Sequence, residues 1–308
     1  MCGIVGLHLR NPDLHPRLGE LLTGMLCEMQ DRGADSAGVA VYGDPRWSPA
    51  GRVTVTFVPD AASVALTSGT SAPEAAASLT AAVGSEVVVV DAGPTLVAHA
   101  AAGIGAEALR AAVLTVYPEA LVAGFGESVA VLKGVGEPQA LARAYGLPAA
   151  QGWQGVGHTR MATESAVTSS GAHPFAVGPE QCLVHNGSFA NHATIRRELR
   201  AAGVEFDSEN DTEVGARFVA HQLAAGKDVE TALKEVCANF DGFYTLLVSN
   251  RDSFAVVRDA IACKPAVIAE TDDWVAMASE YRALAKLPGV ENARIWEPEP
   301  EVVYAWTR

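Results

Sequence analysis

The chain has 308 residues, 49% of them hydrophobic and 19% charged, with 36 acidic against 22 basic side chains and a net charge of −14. That much apolar matter is enough for a packed core and so few charges argue against disorder, while the acidic excess argues against nucleic-acid binding, which rests on Lys and Arg. No apolar run reaches the ~18 residues of a membrane span, and the start MCGIVGLHLRNPD lacks the basic region and long apolar stretch of a signal peptide. Five cysteines without CxxC spacing point to a reducing, cytoplasmic setting rather than to disulfides or a zinc ribbon.

In chain order, Gly3 to Leu9 reads as a buried strand. Leu18, Leu21, Leu22, Met25, Leu26 and Met29 then form one apolar stripe at helical spacing. DRGADSAG (31–38) is a turn-rich loop before a strand at Val39–Tyr42, and Arg52–Val58 alternates as a third strand. Residues 59–127 are rich in Ala, Gly, Ser and Thr. They hold a helix near Ala72–Ala82, a β-branched run Val87–Val90, a helix near Ala106–Val113 and a strand near Leu121–Gly124. Their own apolar periodicity marks them as an inserted α/β lobe rather than a linker. It carries no catalytic motif and is the expected docking surface for a partner.

Val129–Lys133 is a strand and Pro138–Tyr145 a short helix. Helices follow over about Asn191–Ala202 and Asp211–Ala225, closed by Gly203 and Gly226, and a third near Val229–Ala238. Tyr244–Val248, Ser253–Val257, Ala266–Ile268 and Val275–Ala278 alternate as strands. Closely spaced strands mixed with helices predict antiparallel sheets covered by helices. No Gly-x-Gly-x-x-Gly opens a βαβ unit, and no P-loop is present.

Cys2 is the most informative residue. A small residue after Met1 favours methionine removal, which would leave nucleophile and base on one residue: the thiol attacks and the α-amino group takes its proton. An α-amino pKa of ~7.7–8.0 suits a general base at neutral pH. On its own, such a cysteine reads more readily as one without a role.

GHTRMATES (157–165), AHPF (172–175), VHNGSFAN (184–191) and SENDTEV (208–214) follow in order. With MCGIVG and DRGADSAG, these segments resemble the class II glutamine amidotransferases, the N-terminal-nucleophile glutaminases. The resemblance covers residues 2–58 and about 128–290. The Ala-rich insert, MATES and the ending RDAIACKPAV…WEPEPEVVYAW are most similar to the amidotransferase subunit of N-methylglutamate synthase and of split glutamate synthases. It implies an α+β fold: a four-layer αββα sandwich of two antiparallel sheets spanning residues 2–308, with 59–127 as the inserted lobe.

The resemblance also implies roles. Cys2 would be the nucleophile, and Asn186 and Gly187 the oxyanion pair, although Asn-Gly alone reads as a hairpin turn. Arg160 would take the glutamine α-carboxylate, since a planar guanidinium suits bidentate capture. Asp211 would take the α-ammonium, or cap its helix, or both. Thr163 and His173 would line the pocket, with a plain loop histidine as the other reading of His173. Arg32 would orient the nucleophile or make a fold-supporting ion pair. Met161 stands where an aromatic residue often follows the pocket arginine, Ala34 where Pro is common, and Gly171 where an Asn precedes AHPF; none removes a reacting group.

No cofactor is expected in this chain. FMN and an iron-sulfur cluster are expected in partner chains of a hetero-oligomer, a glutamate-synthase-like flavoprotein subunit and a β-helical subunit, with L-glutamine as substrate. The chain is short for a synthase with its own cofactor domain. A Cys2 still bonded to Met1 has no free amine, which keeps open a non-catalytic structural or regulatory subunit with an unprocessed N-terminus. A different N-terminal-nucleophile amidase or acylase is disfavoured because Arg160 and Asp211 together select an α-amino acid. Cys27, Cys182, Cys237 and Cys263 read as core. His8, His15, His99 and His221 show no ligand spacing. Arg258, Asp259, Lys264 and Pro265 read as structural, and Glu297–Glu301 as a solvated turn rather than a metal site.

Overall fold

The strand Gly3–Leu9 (β1) is buried along its whole length because both of its faces are covered. Ile4 faces a core shared by two sheets, and Val5, Leu7 and Leu9 face a core shared with the next helix. The computed structural model describes residues 2–60, 70–161 and 167–308. After β1 come α1 (Leu18–Cys27), β2 (Ser36–Tyr42), β3 (Arg52–Val58), α2 (Ala72–Val83), β4 (Val87–Ala92), β5 (Thr95–Ala101), α3 (Ala106–Val116), β6 (Leu121–Gly126), β7 (Val129–Val135) and α4 (Pro138–Ala144). Then follow β8 (Gln154–Arg160), β9 (Cys182–Phe189), α5 (His192–Ala201), α6 (Asp211–Ala224), α7 (Val229–Asn239), β10 (Gly242–Ser249), β11 (Ser253–Arg258), β12 (Val267–Glu270), β13 (Trp274–Ala278), β14 (Arg294–Trp296) and β15 (Tyr304–Thr307).

The described strands form three sheets with antiparallel pairing throughout. A seven-stranded sheet runs β14-β12-β13-β1-β8-β2-β7, a four-stranded sheet runs β15-β11-β10-β9, and a smaller four-stranded sheet runs β4-β5-β3-β6. α1 contains Gly19, Gly24 and Thr23, and its glycines cost ~1 kcal/mol each in a helix interior. Its buried stripe of Leu18, Leu21, Leu22, Met25 and Leu26 offsets this, at about 1.5–3 kcal/mol per buried side chain. Tertiary packing therefore holds this helix, not propensity.

Period-two alternation in β9, β10 and β11 divides their side chains between two cores. Cys182, Val184, Leu247, Phe254 and Val256 meet Ile4, Val156 and Met277 of the large sheet. Leu183, Leu246, Val248 and Val257 meet Ile195, Val214, Phe218 and Val236 of α5, α6 and α7.

The third sheet has its own core, with Phe57, Leu79, Leu96, Leu109 and Val113 from its strands and from α2 and α3. Its central strand is β3, paired with both β5 and β6, so a lobe boundary at residue 59 cuts through the sheet. Alternation marked β3 as a strand but carried no information about its partners. The ends of this unit meet: Gly43 N–H donates to Ser128 O at 2.8 Å, beside the Tyr42–Val129 pair of β2 and β7.

Candidate active site

Cys2 lies immediately before β1, between β8 and β13 in the middle of the large sheet. Gly3 pairs with Thr159 of β8, which brings the end of that strand, Arg160 and Met161, alongside Cys2. The half-buried Cys2 has its Sγ 3.8 Å from the Met161 carbonyl oxygen. Its own carbonyl oxygen accepts two side-chain hydrogen bonds, from Arg32 Nε at 2.9 Å and from Asn186 Nδ2 at 3.1 Å.

Arg32 closes a single 3-10 turn, Gln30–Arg32, that follows α1. Its side chain is buried, and Nη1 pairs with Glu280 Oε1 at 2.6 Å. A buried guanidinium is tolerable because this carboxylate compensates it. One side chain thus makes both an ion pair with Glu280 and a hydrogen bond to Cys2.

Asn186 and Gly187 lie inside β9, opposite Thr245 and Tyr244 of β10. The Asn-Gly hairpin reading is therefore overturned, because the strand continues through the pair to Phe189. Gly187 has φ +146°, and a Cβ there would stand 2.0 Å from Phe243 O. Both the conformation and the close approach demand glycine.

Arg160 is buried at the end of β8. A Cβ on Gly171 would stand 3.1 Å from Arg160 Nη1, so the loop before Ala172 passes directly against the guanidinium.

Asp211 opens α6 and is half-buried. The cap of that helix is Asn210, whose side chain accepts from Thr212 N–H at 2.9 Å. Asp211 Oδ2 instead accepts the Phe189 N–H at 2.9 Å, linking the first turn of α6 to β9 two residues beyond Gly187.

His173 is buried behind this group. It stacks on His158 with ring centres 4.0 Å apart. Thr212 Oγ1 lies 3.1 Å from His173 Nε2 and 2.9 Å from His185 Nδ1, and His158 Nε2 donates to His185 O at 3.0 Å. Burial holds all three imidazoles neutral: His158 is pushed down to about 3, His185 to about 4 against the opposing pull of Asp211, and His173 well below its ordinary value. The cluster therefore carries no positive charge at neutral pH.

Cys2, Arg32 and Asn186 are in direct contact; Gly187 follows in the same strand, Arg160 adjoins through the β1–β8 register, and Asp211 connects through Phe189. His173 stands in the wall behind, and Thr163 lies outside the described residues. Sequence reasoning missed His158, His185 and Thr212. Only His158 carried a signal, lying two residues before Arg160 on the same face of β8; no spacing marked His185, which adjoins Asn186 on the other face of β9, or Thr212 in the first turn of α6.

Cys182 is buried and Cys27 and Cys237 are half-buried, but Cys263 is exposed, against the expectation of a core position. It sits in the turn after β11, where the neighbouring Ile261 is also 69% exposed. Apolar neighbours in sequence did not become neighbours in a core. Among the described residues no His, Cys, Asp and Glu group is suited to a metal ion, and no helix is long and apolar enough to cross a membrane.

Residues 158–286 match the family model described as a glutamine amidotransferase domain. Over 315 aligned residues the chain is 47% identical to a glutamine amidotransferase-like protein, GlxB, of Rhizobium meliloti, covering 99% of this chain and 98% of that protein. It is 28% identical to a putative glutamine amidotransferase of Methanothermobacter thermautotrophicus, covering 99% of both. Among solved structures it resembles a glutamine phosphoribosylpyrophosphate amidotransferase from B. subtilis, with a TM-score of 0.59 at 17% identity. That likeness covers 99% of this chain and 49% of the other, so the chain spans about half of that enzyme and shares its fold.

Proposed function

Because the chain belongs to the class II glutamine amidotransferase family, we propose that it hydrolyses the side-chain amide of L-glutamine to glutamate and ammonia through a thioester on Cys2. The observation that carries this reading is the double tether of Cys2. Arg32 and Asn186, from different parts of the chain, converge on its carbonyl oxygen and leave its thiol beside the end of β8.

In this reading Met1 is removed and the freed α-amino group of Cys2 takes the thiol proton. The sulfur attacks the amide carbon, and the carbonyl electron pair moves to oxygen. Asn186 Nδ2 has a second hydrogen beyond the one given to Cys2 O, and with Gly187 N–H it stabilises that oxyanion. Collapse breaks the C–N bond, and the ammonium of Cys2 returns its proton to the leaving nitrogen. Water, deprotonated by the same amine, then resolves the thioester. Arg160 and Asp211 select the α-carboxylate and α-ammonium of glutamine, with Thr163 and His173 lining the pocket. We read the layers as α1 and α4, large sheet, second sheet, then α5 to α7.

The nitrogen acceptor lies in partner chains in the cytoplasm. The sequence resemblance points to an N-methylglutamate synthase or glutamate synthase assembly, with FMN and an iron-sulfur cluster in a flavoprotein subunit and a β-helical subunit beside it. The test is intact mass, glutaminase assay and labelling with 6-diazo-5-oxo-L-norleucine. Loss of one methionine, one label per chain and activity abolished by Cys2→Ala are expected. A retained Met1 with neither label nor activity would instead establish the non-catalytic subunit.

A further inference from the structure

Between the small sheet's lobe and the main body lies a cavity of about 330 Å³. Its apolar wall includes Leu114, Val122, Phe125, Phe175 and Val177, and its charged lining is Arg110, Lys133, Asp207, Glu213 and Arg217. None of Cys2, Arg32, Arg160, Asn186, Gly187 or Asp211 lines it. We propose that this cavity is a second binding site, for a small organic anion with an apolar body.

The charges in it do not cancel locally. Arg217 holds both acids: its Nη2 pairs with Asp207 at 2.6 Å and its Nε donates to Glu213 at 3.1 Å. Glu213 is further occupied by the backbone N–H groups of Asp207 and Ser208, at 2.8 and 2.7 Å. Arg110 lies over the Phe125 ring at 5.4 Å and, among the described residues, has one long 3.7 Å ion pair, to the exposed Glu107.

Lys133 is buried, and its Nζ donates to two neutral oxygens, Ala172 O at 3.0 Å and Pro174 O at 3.4 Å. Three cations against two acids, both of them committed to Arg217, leave a positive cavity in a chain of net charge −14. A buried ammonium held by two carbonyl dipoles and the face of the Phe175 ring at 5.1 Å, with no carboxylate in hydrogen-bond contact among the described residues, is costly, and a carboxylate beside it recovers Coulomb energy in a low dielectric. The volume sits near the lower end of ligand cavities, roughly 300–1,000 Å³, and an apolar wall with a few convergent polar groups is their usual make-up. Burial also moves Lys133 down to about 8, so it remains largely protonated at pH 7.

The test is calorimetric titration of the full chain with 4-phenylbutyrate, indole-3-acetate and octanoate, each against its neutral amide. At least one carboxylate should bind at one per chain with Kd below about 1 mM, and about tenfold tighter than its amide. Ala120→Trp, which fills the cavity from a half-buried position, should abolish that binding. Lys133→Met should erase the preference for carboxylate over amide, and should Lys133→Met not fold, Arg110→Gln must weaken it. Failure of all three carboxylates to bind, equal binding of acid and amide, or binding that survives Ala120→Trp would overturn the proposal.

Discussion

Asn186 Nδ2 donates to the carbonyl oxygen of Cys2 across 3.1 Å, and this bond joins the edge strand of one sheet to the residue that opens the central strand of another. An amide held by one of its two hydrogens is preorganised, and the other is available where negative charge develops.

Asn186→Ala should lower kcat for glutamine hydrolysis about 10²–10³-fold, the loss typical of one oxyanion donor. Asn186→Asp keeps the shape and removes the donor, so it should fall as far. Steady-state kinetics reads both, and an Asp variant at near wild-type kcat would remove Asn186 from the oxyanion hole.

Arg160→Met should raise KM for glutamine by about 10²-fold, since charged hydrogen bonds are worth about 1.5–3 kcal/mol. 4-Aminobutyramide, which keeps the amide and amine but lacks the α-carboxylate, should be turned over equally by wild type and variant. A variant that slows both substrates alike would mean that Arg160 holds the fold rather than the substrate.

Glu280→Gln removes the counter-charge of Arg32, whose side chain is 8% exposed against 34% for Glu280. A fully buried broken pair costs about 3–5 kcal/mol, and partial exposure of Glu280 reduces that to about 1–3. Urea denaturation measures it. Glutaminase kcat should fall as well, because Arg32 also positions Cys2 through its carbonyl oxygen.

His158, His173 and His185 have pKa values lowered by burial, so the unfolded chain takes up these protons near pH 6.5 while the folded chain resists to about 4 or below. Their contribution is complete above pH 6.5 and is lost as pH falls through that window, because the unfolded state then binds more protons. The urea midpoint should therefore drop between pH 7 and pH 5. His173→Asn should flatten that slope, and a wild-type midpoint independent of pH in this range would contradict neutral buried imidazoles.

Elements marked by local chemistry were legible. The strand Gly3–Leu9, the stripe of α1 and the stops at Gly203 and Gly226, both at positive φ, stand where composition put them. β5 was not legible: TLVAHAA is poor in β-branched residues, and tertiary pairing between β3 and β4 makes it a strand. β14 and β15 have strand-forming residues but span only three and four residues at sheet edges, too short for alternation to mark them. Cys2, Asn186, Arg32 and His173 were singled out through motifs, whereas His158 and His185 were not. Their roles depend on which face of β8 and β9 is buried, and one sequence does not reveal that. Asp211 shows the limit at single-residue scale: a carboxylate at a helix start reads as a cap, but Asn210 does the capping.

The hydrogen bond from Gly43 to Ser128 makes the whole lobe the loop of a β2–β7 hairpin. Closing so long a flexible loop carries an entropy cost that grows with ln n. A folded lobe removes most of it, because β3 leaves and β6 returns side by side. Loop-closure entropy therefore predicts an order of assembly in which the lobe closes before β7 is delivered to β2. Phe57→Ala, a cavity in the lobe core far from Cys2, should slow stopped-flow refolding of the entire chain and not only destabilise the lobe.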